Sequence, residues 1–209
     1  MNAAIDVRIF GVPDRIENIR ENQKLLGVPD DRIVIDLAHD GCIPTAKRAW
    51  GIEPNAPHVL VIQDDVELSD DFLSTCRRIV SVWPDAIVGL YPGQFPRRVQ
   101  VRRLDPSSPY ITTTALSGQG IIMPSRYITP CLASWSDELR GDDVNIGAWA
   151  KTNGVLMLTT IPCIIQHLPV RSVFDPSRNL GSTDFFVKDP SGVDWDSDYC
   201  MSWTNIIRR

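Results

Sequence analysis

Two adjacent carboxylates, Asp64 and Asp65, follow directly on an apolar run in the first half of the chain. The run, residues 58–62, is rich in β-branched side chains, which predicts a buried strand, parallel to its neighbours and covered on both faces. In open α/β sheets the carboxyl ends of the strands form the edge at which ligands bind. The pair is therefore placed to meet a cation and the phosphates that the cation neutralises. The alternative is structural: the two carboxylates start a turn ahead of a capped helix.

Two further elements with comparable chemistry come later in the chain. Asp142 and Asp143 stand at the predicted start of a helix, and His167 follows the predicted strand region 155–165. A cation bound to a diphosphate prefers hard oxygen ligands and accepts one imidazole, which suits Asp65 and His167. A carboxylate at a helix start can act as general base for an acceptor hydroxyl, and either Asp142 or Asp143 is placed for that role. The alternatives are helix capping for the acidic pair and a buried, hydrogen-bonded histidine.

Predicted strands and helices alternate through the first half of the chain. Strands are predicted at 5–12, 32–37, 58–62 and 86–91, and helices at about 16–26, 44–50 and 71–82. This alternation is typical of an α/β fold with a mostly parallel sheet flanked by helices. The later pattern predicts a strand at 110–116, helices at 127–139 and 144–150, and one or two strands at 155–165.

Length and composition predict one core at 1–170, followed by a mostly irregular tail at 171–209 that packs over or near the site. The 209 residues are 43% hydrophobic and 22% charged, which is typical of a globular protein. The absence of an amino-terminal signal and of a membrane-spanning apolar run predicts a soluble, cytoplasmic protein. Five widely spaced cysteines form no CxxC pair, which favours reduced thiols over disulfides or a zinc site.

One basic segment departs from the acidic balance of the chain, whose formal net charge is −5. The sequence PRRVQVRR places four arginines close together, at Arg97, Arg98, Arg102 and Arg103. Such a cluster fits the phosphate backbone of a nucleic acid. The alternative is an edge hairpin whose charges keep other chains from pairing with it.

The order of these elements resembles the nucleotide-sugar-dependent glycosyltransferases of the GT-A fold. VIQDDVELSDDFL is similar to their acidic metal motif, and IVIDLAHDGCIPTAKRAWGI to the segment between the nucleobase and the diphosphate. Further along, SGQGIIMP is similar to the glycine loop before the acceptor site, GDD to the motif that carries the base, and QHL to the late metal-binding histidine. The resemblance covers residues 5–170 and implies a Rossmann-like GT-A core.

Carried over residue by residue, the resemblance implies a donor site and a catalytic base. Donor contacts fall on Asp36 or Asp40 at the nucleobase, Lys47 or Arg48 at the phosphates, Asp64 at the ribose or in the metal shell, and Gly118 and Gly120 along the sugar. Asp65 and His167 become ligands of a divalent ion, Mn²⁺ or Mg²⁺, and Asp143, with Asp142 beside it, becomes the base. Gln63, Ala49 and Asp142 depart from the family pattern, which usually has an acidic residue, Asn and Glu there.

The resemblance implies the metal-dependent transfer of a sugar from a nucleoside-diphosphate donor, a UDP-sugar being favoured, to an acceptor hydroxyl, and a base at Asp143 predicts inversion. The alternative is a retaining enzyme, in which Asp143 binds the acceptor. The favoured acceptor is a hydroxymethylated pyrimidine in DNA, of the kind that bacteriophage-encoded enzymes glycosylate in the host cytoplasm. A lipopolysaccharide or capsule saccharide is the alternative acceptor. Two other classes remain as alternatives: a nucleotidyltransferase, which also places paired carboxylates and a metal on an α/β sheet, and a non-enzymatic protein that binds nucleotide or sugar.

Overall fold

The computed structural model describes residues 4–93, 109–170 and 182–202, in which helices flank a central eight-stranded sheet. The strands are β1 (Ile5–Gly11), β2 (Ile33–Ile35), β3 (His58–Gln63), β4 (Val66–Leu68), β5 (Ile87–Gly89), β6 (Tyr110–Thr112), β7 (Gly120–Pro124), β8 (Met157–Thr160), β9 (Ile165–His167) and β10 (Met201–Ser202). The helices are α1 (Ile16–Leu26), α2 (Cys42–Gly51), α3 (Phe72–Val82), α4 (Ile128–Ala133) and α5 (Asp142–Thr152). None of these described helices is long and apolar enough to cross a bilayer.

The strand order of the main sheet is β10-β6-β8-β5-β7-β3-β1-β2, and β4 pairs with β9 in a separate two-stranded ribbon. Strands β2, β1, β3, β5 and β8 point one way, while β7, β6 and β10 run against them. The predicted α/β class is confirmed, with a sheet that is mixed because β7 lies antiparallel between β3 and β5. The carboxyl ends of β1, β2 and β3 therefore meet the amino end of β7 at one edge.

Strand β3 is buried on both faces, as its apolar run predicts. Leu60 and Ile62 pack into one core cluster, together with apolar side chains of α1 and α3. Val59 and Val61 point the opposite way into a second cluster, with side chains of α2, α4 and α5. All four are at most 1% exposed. The period of two along the strand thus separates two cores.

The elements predicted in the first half of the chain are all present, with small shifts at their ends. The later strand predicted at 110–116 stops at Thr112, because the next residues fold into a turn. The hydroxyl of Thr113 donates to the carbonyl oxygen of Ala115 at 2.6 Å and accepts the N–H of the same residue at 3.1 Å. Such local side-chain bonds compete with strand pairing.

The helix predicted at 127–139 ends early, at Ala133. The side chain of Asn145, in α5, accepts the backbone N–H of Ser136 at 2.8 Å and donates to the Ser136 carbonyl oxygen at 3.3 Å. Because both backbone groups of Ser136 bind this amide, they are not available to extend the helix. The sequence of the helix itself does not reveal this tertiary contact.

Residues 182–202 have little regular structure, yet they complete the core. Phe186 forms a bridge with Cys163, and β10 pairs with β6 at one edge of the sheet. Trp195 is fully buried with its ring edge-on to Tyr110, whose hydroxyl donates to the Trp195 carbonyl oxygen at 2.6 Å. Outside the described residues lie 171–181, 203–209 and the segment 94–108, which contains Arg97, Arg98, Arg102 and Arg103.

A buried ion pair joins β1 to the end of α2. Arg8 is fully buried and donates to the Asp6 carboxylate at 2.8 Å. Its guanidinium also donates to the carbonyl oxygens of Ala49 at 2.8 Å and Trp50 at 2.9 Å. Arg8 therefore fixes the backbone of Trp50 against the sheet.

Replacement of Arg8 by methionine is expected to lower the free energy of unfolding by about 3–5 kcal/mol, because the buried Asp6 carboxylate loses its closest partner. Urea denaturation followed by circular dichroism measures the change. Arg20→Met is the control, since Arg20 pairs with Asp30 at the surface, where their side chains are 53% and 83% exposed. Its loss is expected to leave stability nearly unchanged. Equal effects of the two substitutions would contradict the role assigned to Arg8.

Candidate functional site

Asp64 and Asp65 lie where β3 leaves the sheet, at the edge shared with the carboxyl ends of β1 and β2. The Asp64 carboxylate accepts the backbone N–H of Val12 at 2.8 Å. This close approach requires Gly11, because a Cβ atom there would lie 2.3 Å from the Asp64 carboxylate. The acidic pair thus follows a buried strand at the edge where the carboxyl ends of β1, β2 and β3 lie, as the sequence predicts.

Two side-chain amides of α1 hold the backbone of the acidic turn. Asn18 donates to the carbonyl oxygen of Asp64. Asn22, four residues further on and therefore on the same helix face, donates to the carbonyl oxygen of Val66 at 3.3 Å. Helix α1 therefore fixes the turn through its main chain and leaves the carboxylates for other partners.

The β4–β9 ribbon brings His167 to Asp65. Antiparallel pairing places His167 opposite Val66, and the N–H of Leu168 donates to the Asp65 carbonyl oxygen at 2.9 Å. Nε2 of His167 consequently lies 3.4 Å from Oδ2 of Asp65. The two residues that the family resemblance implies as metal ligands are neighbours, although they are far apart in sequence.

Arg15 bridges the two carboxylates of the acidic turn. One guanidinium nitrogen donates to Oδ1 of Asp64 and to Oδ2 of Asp65, each at 2.8 Å. Burial raises the pKa of Asp64, an effect that the Val12 N–H and Arg15 offset only in part. Burial also acts to raise the pKa of Asp65, but His167 and Arg15 outweigh it and lower this pKa. Asp65 is therefore the more readily ionised member of the pair.

Two atoms of this site are buried without a hydrogen-bond partner, Oδ1 of Asp65 and Nδ1 of His167. A carboxylate oxygen and an imidazole nitrogen are ligands that Mn²⁺ accepts. The residues that the structure describes contain no group of three or more His, Cys, Asp or Glu side chains arranged around one metal position. A cation held by Asp65 and His167 would therefore need further ligands, such as phosphate oxygens and water.

The second acidic pair begins α5, and its first member is buried against the glycine loop. Asp142 is 2% exposed and accepts the indole N–H of Trp50 at 3.2 Å. A Cβ atom on Gly118 would lie 2.9 Å from the Asp142 carboxylate and 2.7 Å from the side-chain amide of Gln63. Gln63 therefore lies beside Asp142, where its neutral amide avoids a second buried negative charge.

The two members of this pair differ in environment. Burial raises the pKa of Asp142 to about 7, with the charge of Asp143 adding to the rise and the Trp50 N–H opposing it. Asp143 is only half-buried, and its Oδ1 accepts the N–H of Val144 at 2.9 Å. Both carboxyl groups lie in the first turn of α5, where the helix dipole favours their ionised forms.

Cys42, the first residue of α2, is a free thiol. Burial raises its pKa, and the charges of Asp142, Asp143, Asp65 and Asp64 add to the rise in that order. The end of β3 and the start of α5 meet at Gly118, where a Cβ atom would lie 2.7 Å from Gln63 and 2.9 Å from Asp142.

The residues implied at the nucleobase and phosphates lie on the loop between β2 and α2 and on α2 itself. The Asp36 carboxylate accepts the N–H groups of Asp40 and Gly41, both at 3.0 Å, and so folds the loop onto itself. Arg48 donates to Asp40 at 2.6 Å and thereby lowers the pKa of Asp40. Lys47 is exposed. Asp36 thus shapes the loop, while the other charged groups lie at the surface.

Of the two glycines implied to line the donor sugar, Gly118 lies at the polar site and Gly120 does not. A Cβ atom there would lie 2.2 Å from the side chain of Ile165, so Gly120 packs against the apolar core. The structure brings Asp64, Asp65 and His167 together, and it places Gly118 between Gln63, at the end of β3, and Asp142, at the start of α5. The arginines of the 97–103 segment lie outside the described residues.

No protein-family model matches this chain, and no curated protein sequence matches it significantly. A functional proposal therefore rests on the residues of the site, their geometry and the sequence motifs.

Three residues of the site are not identified by sequence reasoning: Arg15, Trp50 and Asn18. Arg15 carries a usable signal, because it follows the carboxyl end of β1 as Asp64 follows β3, and ligand-binding residues gather at such ends. Trp50 and Asn18 carry none. An indole near the end of an apolar helix and an amide within α1 have the properties of ordinary helix residues.

Replacement of Asp142 by asparagine is expected to change how stability depends on pH. The pKa of Asp142 is about 7 in the folded protein and about 3.9 in an unfolded chain. The folded state therefore binds more protons between these values, and the contribution of Asp142 to stability is lost as pH rises through that window.

Because asparagine does not ionise, the free energy of unfolding of Asp142→Asn relative to the native chain is expected to rise by about 3 kcal/mol from pH 4 to pH 7. Urea denaturation at a series of pH values measures this difference. Asp137→Asn changes an exposed carboxylate and serves as the control, with no comparable slope expected. A pH-independent difference for Asp142→Asn would contradict the raised pKa.

Proposed function

We propose that the chain is a metal-dependent glycosyltransferase of GT-A type, which moves a sugar from a nucleoside-diphosphate sugar to an acceptor hydroxyl. The observation that carries the proposal is the contact of His167 with the Asp64–Asp65 turn at one edge of the sheet, where Gly118 and Gln63 also border the acidic start of α5. Hard oxygen donors suit the cation of a diphosphate, and a separate carboxylate suits an acceptor hydroxyl. The motif order of the sequence and the α/β core support the same function.

On the donor side, Asp65 and His167 would hold Mn²⁺ or Mg²⁺ next to the diphosphate of a UDP-sugar. When bound, such an ion offsets the negative charge that develops on the leaving diphosphate. Contacts within the protein hold the side chains at this position. Asp64 is held by the Val12 N–H, and the ribbon sets His167 at Asp65 before any ligand arrives.

Asp143 is the proposed base, and Asp142 is a proposed contact of the donor sugar. Asp142 is buried beside Gly118, whereas Asp143 is half-buried at the start of α5. With a pKa of about 7, Asp142 is partly protonated at neutral pH and can donate or accept a hydrogen bond with a sugar hydroxyl. Asp143 takes the acceptor proton while the acceptor oxygen attacks the anomeric carbon and the bond to the diphosphate breaks, which inverts the configuration.

A hydroxymethylated pyrimidine in DNA is the proposed acceptor. Four arginines between positions 97 and 103 are suited to a phosphate backbone. The chain approaches this segment from the carboxyl end of β5, on the sheet edge that carries the site. There the ring of Tyr91 lies 6.4 Å from the ring of His167.

Asp65→Asn is expected to abolish the rise in melting temperature that Mn²⁺ and UDP together give the native chain, because the amide removes the charged ligand. A ligand that binds only the folded state raises apparent stability according to its concentration and affinity. Differential scanning fluorimetry with Mn²⁺, UDP and both measures the shift. Asp70→Asn changes a carboxylate that is 64% exposed and is expected to keep the native response. The same shift without Mn²⁺ in every variant would indicate a nucleotide-binding protein that needs no metal.

Asp143→Asn is expected to lower kcat by about 10²- to 10⁴-fold with little change in KM for the donor, because the amide cannot take the proton. Asp142→Asn is the matched comparison and is expected to act mainly on that KM. Transfer is measured on duplex DNA containing hydroxymethylcytosine and, in parallel, on a free saccharide. Nuclear magnetic resonance gives the anomeric configuration of the product. Retention of configuration, or equal losses of kcat in both variants, would contradict Asp143 as the base.

A further inference from the structure

Arg15 occupies the position between the two acidic side chains at the end of β3. Its Nη1 atom lies 2.8 Å from Oδ1 of Asp64 and 2.8 Å from Oδ2 of Asp65. The three side chains are 15%, 6% and 11% exposed, so water screens these contacts poorly. The Asp65 oxygen that Arg15 binds is also the one 3.4 Å from Nε2 of His167. Arg15 and His167 thus approach the same oxygen of Asp65, and Asp65 and His167 are the two residues proposed to hold the metal.

The charges of Asp64 and Asp65 explain why a positively charged side chain, Arg15, lies between them. Two buried carboxylates on adjacent residues repel each other, and buried ions are stable only when they are paired. Arg15 supplies one positive charge against two negative ones. A divalent ion at Oδ1 of Asp65, the oxygen without a hydrogen-bond partner, would be repelled at short range by the guanidinium that binds Oδ2 of the same carboxylate.

We propose that Arg15 is a built-in counter-cation that competes with the divalent ion for Asp65 and moves to the donor's diphosphate when that ion binds. The inference rests on the proposed function, because it concerns the same metal position. It assigns to Arg15 a ligand class, the nucleoside diphosphates. It also predicts that the metal and the nucleotide bind cooperatively, since each favours the same position of the guanidinium.

The surroundings of Arg15 allow this exchange. Arg15 ends the short 3-10 turn Pro13–Arg15 after β1, at the same sheet edge as the acidic pair. Its planar, forked guanidinium matches the oxygens of a phosphate as well as those of a carboxylate. When it leaves, Asp64 keeps the N–H of Val12 at 2.8 Å, and Asp65 keeps His167 and gains the metal. Neither carboxylate is then left without a partner.

The test compares Mn²⁺ binding to the full native chain and to three variants by isothermal titration calorimetry and by electron paramagnetic resonance of free Mn²⁺. Without nucleotide, Arg15→Gln is expected to bind Mn²⁺ about tenfold more tightly than the native chain, because the competing charge is gone. UDP is expected to raise the Mn²⁺ affinity of the native chain but not that of Arg15→Gln. Arg15→Lys keeps the charge without the fork and is expected to lie between them. Arg20→Gln, on the exposed face of α1, is expected to behave as native.

The outcomes separate this inference from the proposed function. Unchanged or weaker Mn²⁺ binding by Arg15→Gln overturns the inference, while Mn²⁺ binding by the native chain leaves the proposed function standing. Mn²⁺ binding by Arg15→Gln but not by the native chain, with or without UDP, overturns both, because the guanidinium would then never give way to the metal and the nucleotide. No Mn²⁺ binding by any variant overturns both. If circular dichroism shows that Arg15→Gln does not fold, Arg15→Lys is judged by the same criteria.

Discussion

Two neighbouring carboxylates must be held at the end of a buried strand, and much of the surrounding structure meets that requirement. Gly11 leaves room for the Asp64 side chain, and the N–H of Val12 binds it. Arg15 balances part of the charge of Asp64 and Asp65. Amides of α1 and the β4–β9 ribbon hold the backbone of the turn on both sides. The acidic turn is therefore preorganised by groups from four separate elements, which limits how far it can relax when a ligand binds.

The second acidic pair depends on the core in a different way. Asp142 accepts the indole N–H of Trp50, and the backbone of Trp50 is bound by Arg8 from β1. This chain of contacts runs from β1, through the end of α2, to the start of α5. It links a buried carboxyl group of the site to a buried ion pair that lies outside the site.

The sequence is most informative where a single element decides the outcome. The β-branched run of β3 predicts a buried strand, and the same pattern places Asp64 and Asp65 at the sheet edge. The contact of His167 with Asp65 depends on pairing of two three-residue strands, β4 and β9, which are too short to show a period. Family resemblance implies a shared role for these two residues but not the pairing that joins them. The bridge made by Arg15 depends on a tertiary contact, and so does the early end of α4, after which Asn145 of α5 binds the backbone of Ser136. Local sequence patterns do not show such contacts.

The burial of Trp195 has a consequence for how the protein forms on the ribosome. Its carbonyl oxygen binds the hydroxyl of Tyr110, and the two rings lie 6.2 Å apart, although 85 positions separate the residues. During synthesis β6 is therefore complete long before its indole neighbour leaves the exit tunnel. Until then the apolar surface around Tyr110 stays open to other nascent chains and to chaperones. The segment 182–202 thus covers the apolar surface around Tyr110 late in synthesis. We expect the fraction of the protein that aggregates to depend on how quickly this segment is synthesised and packs.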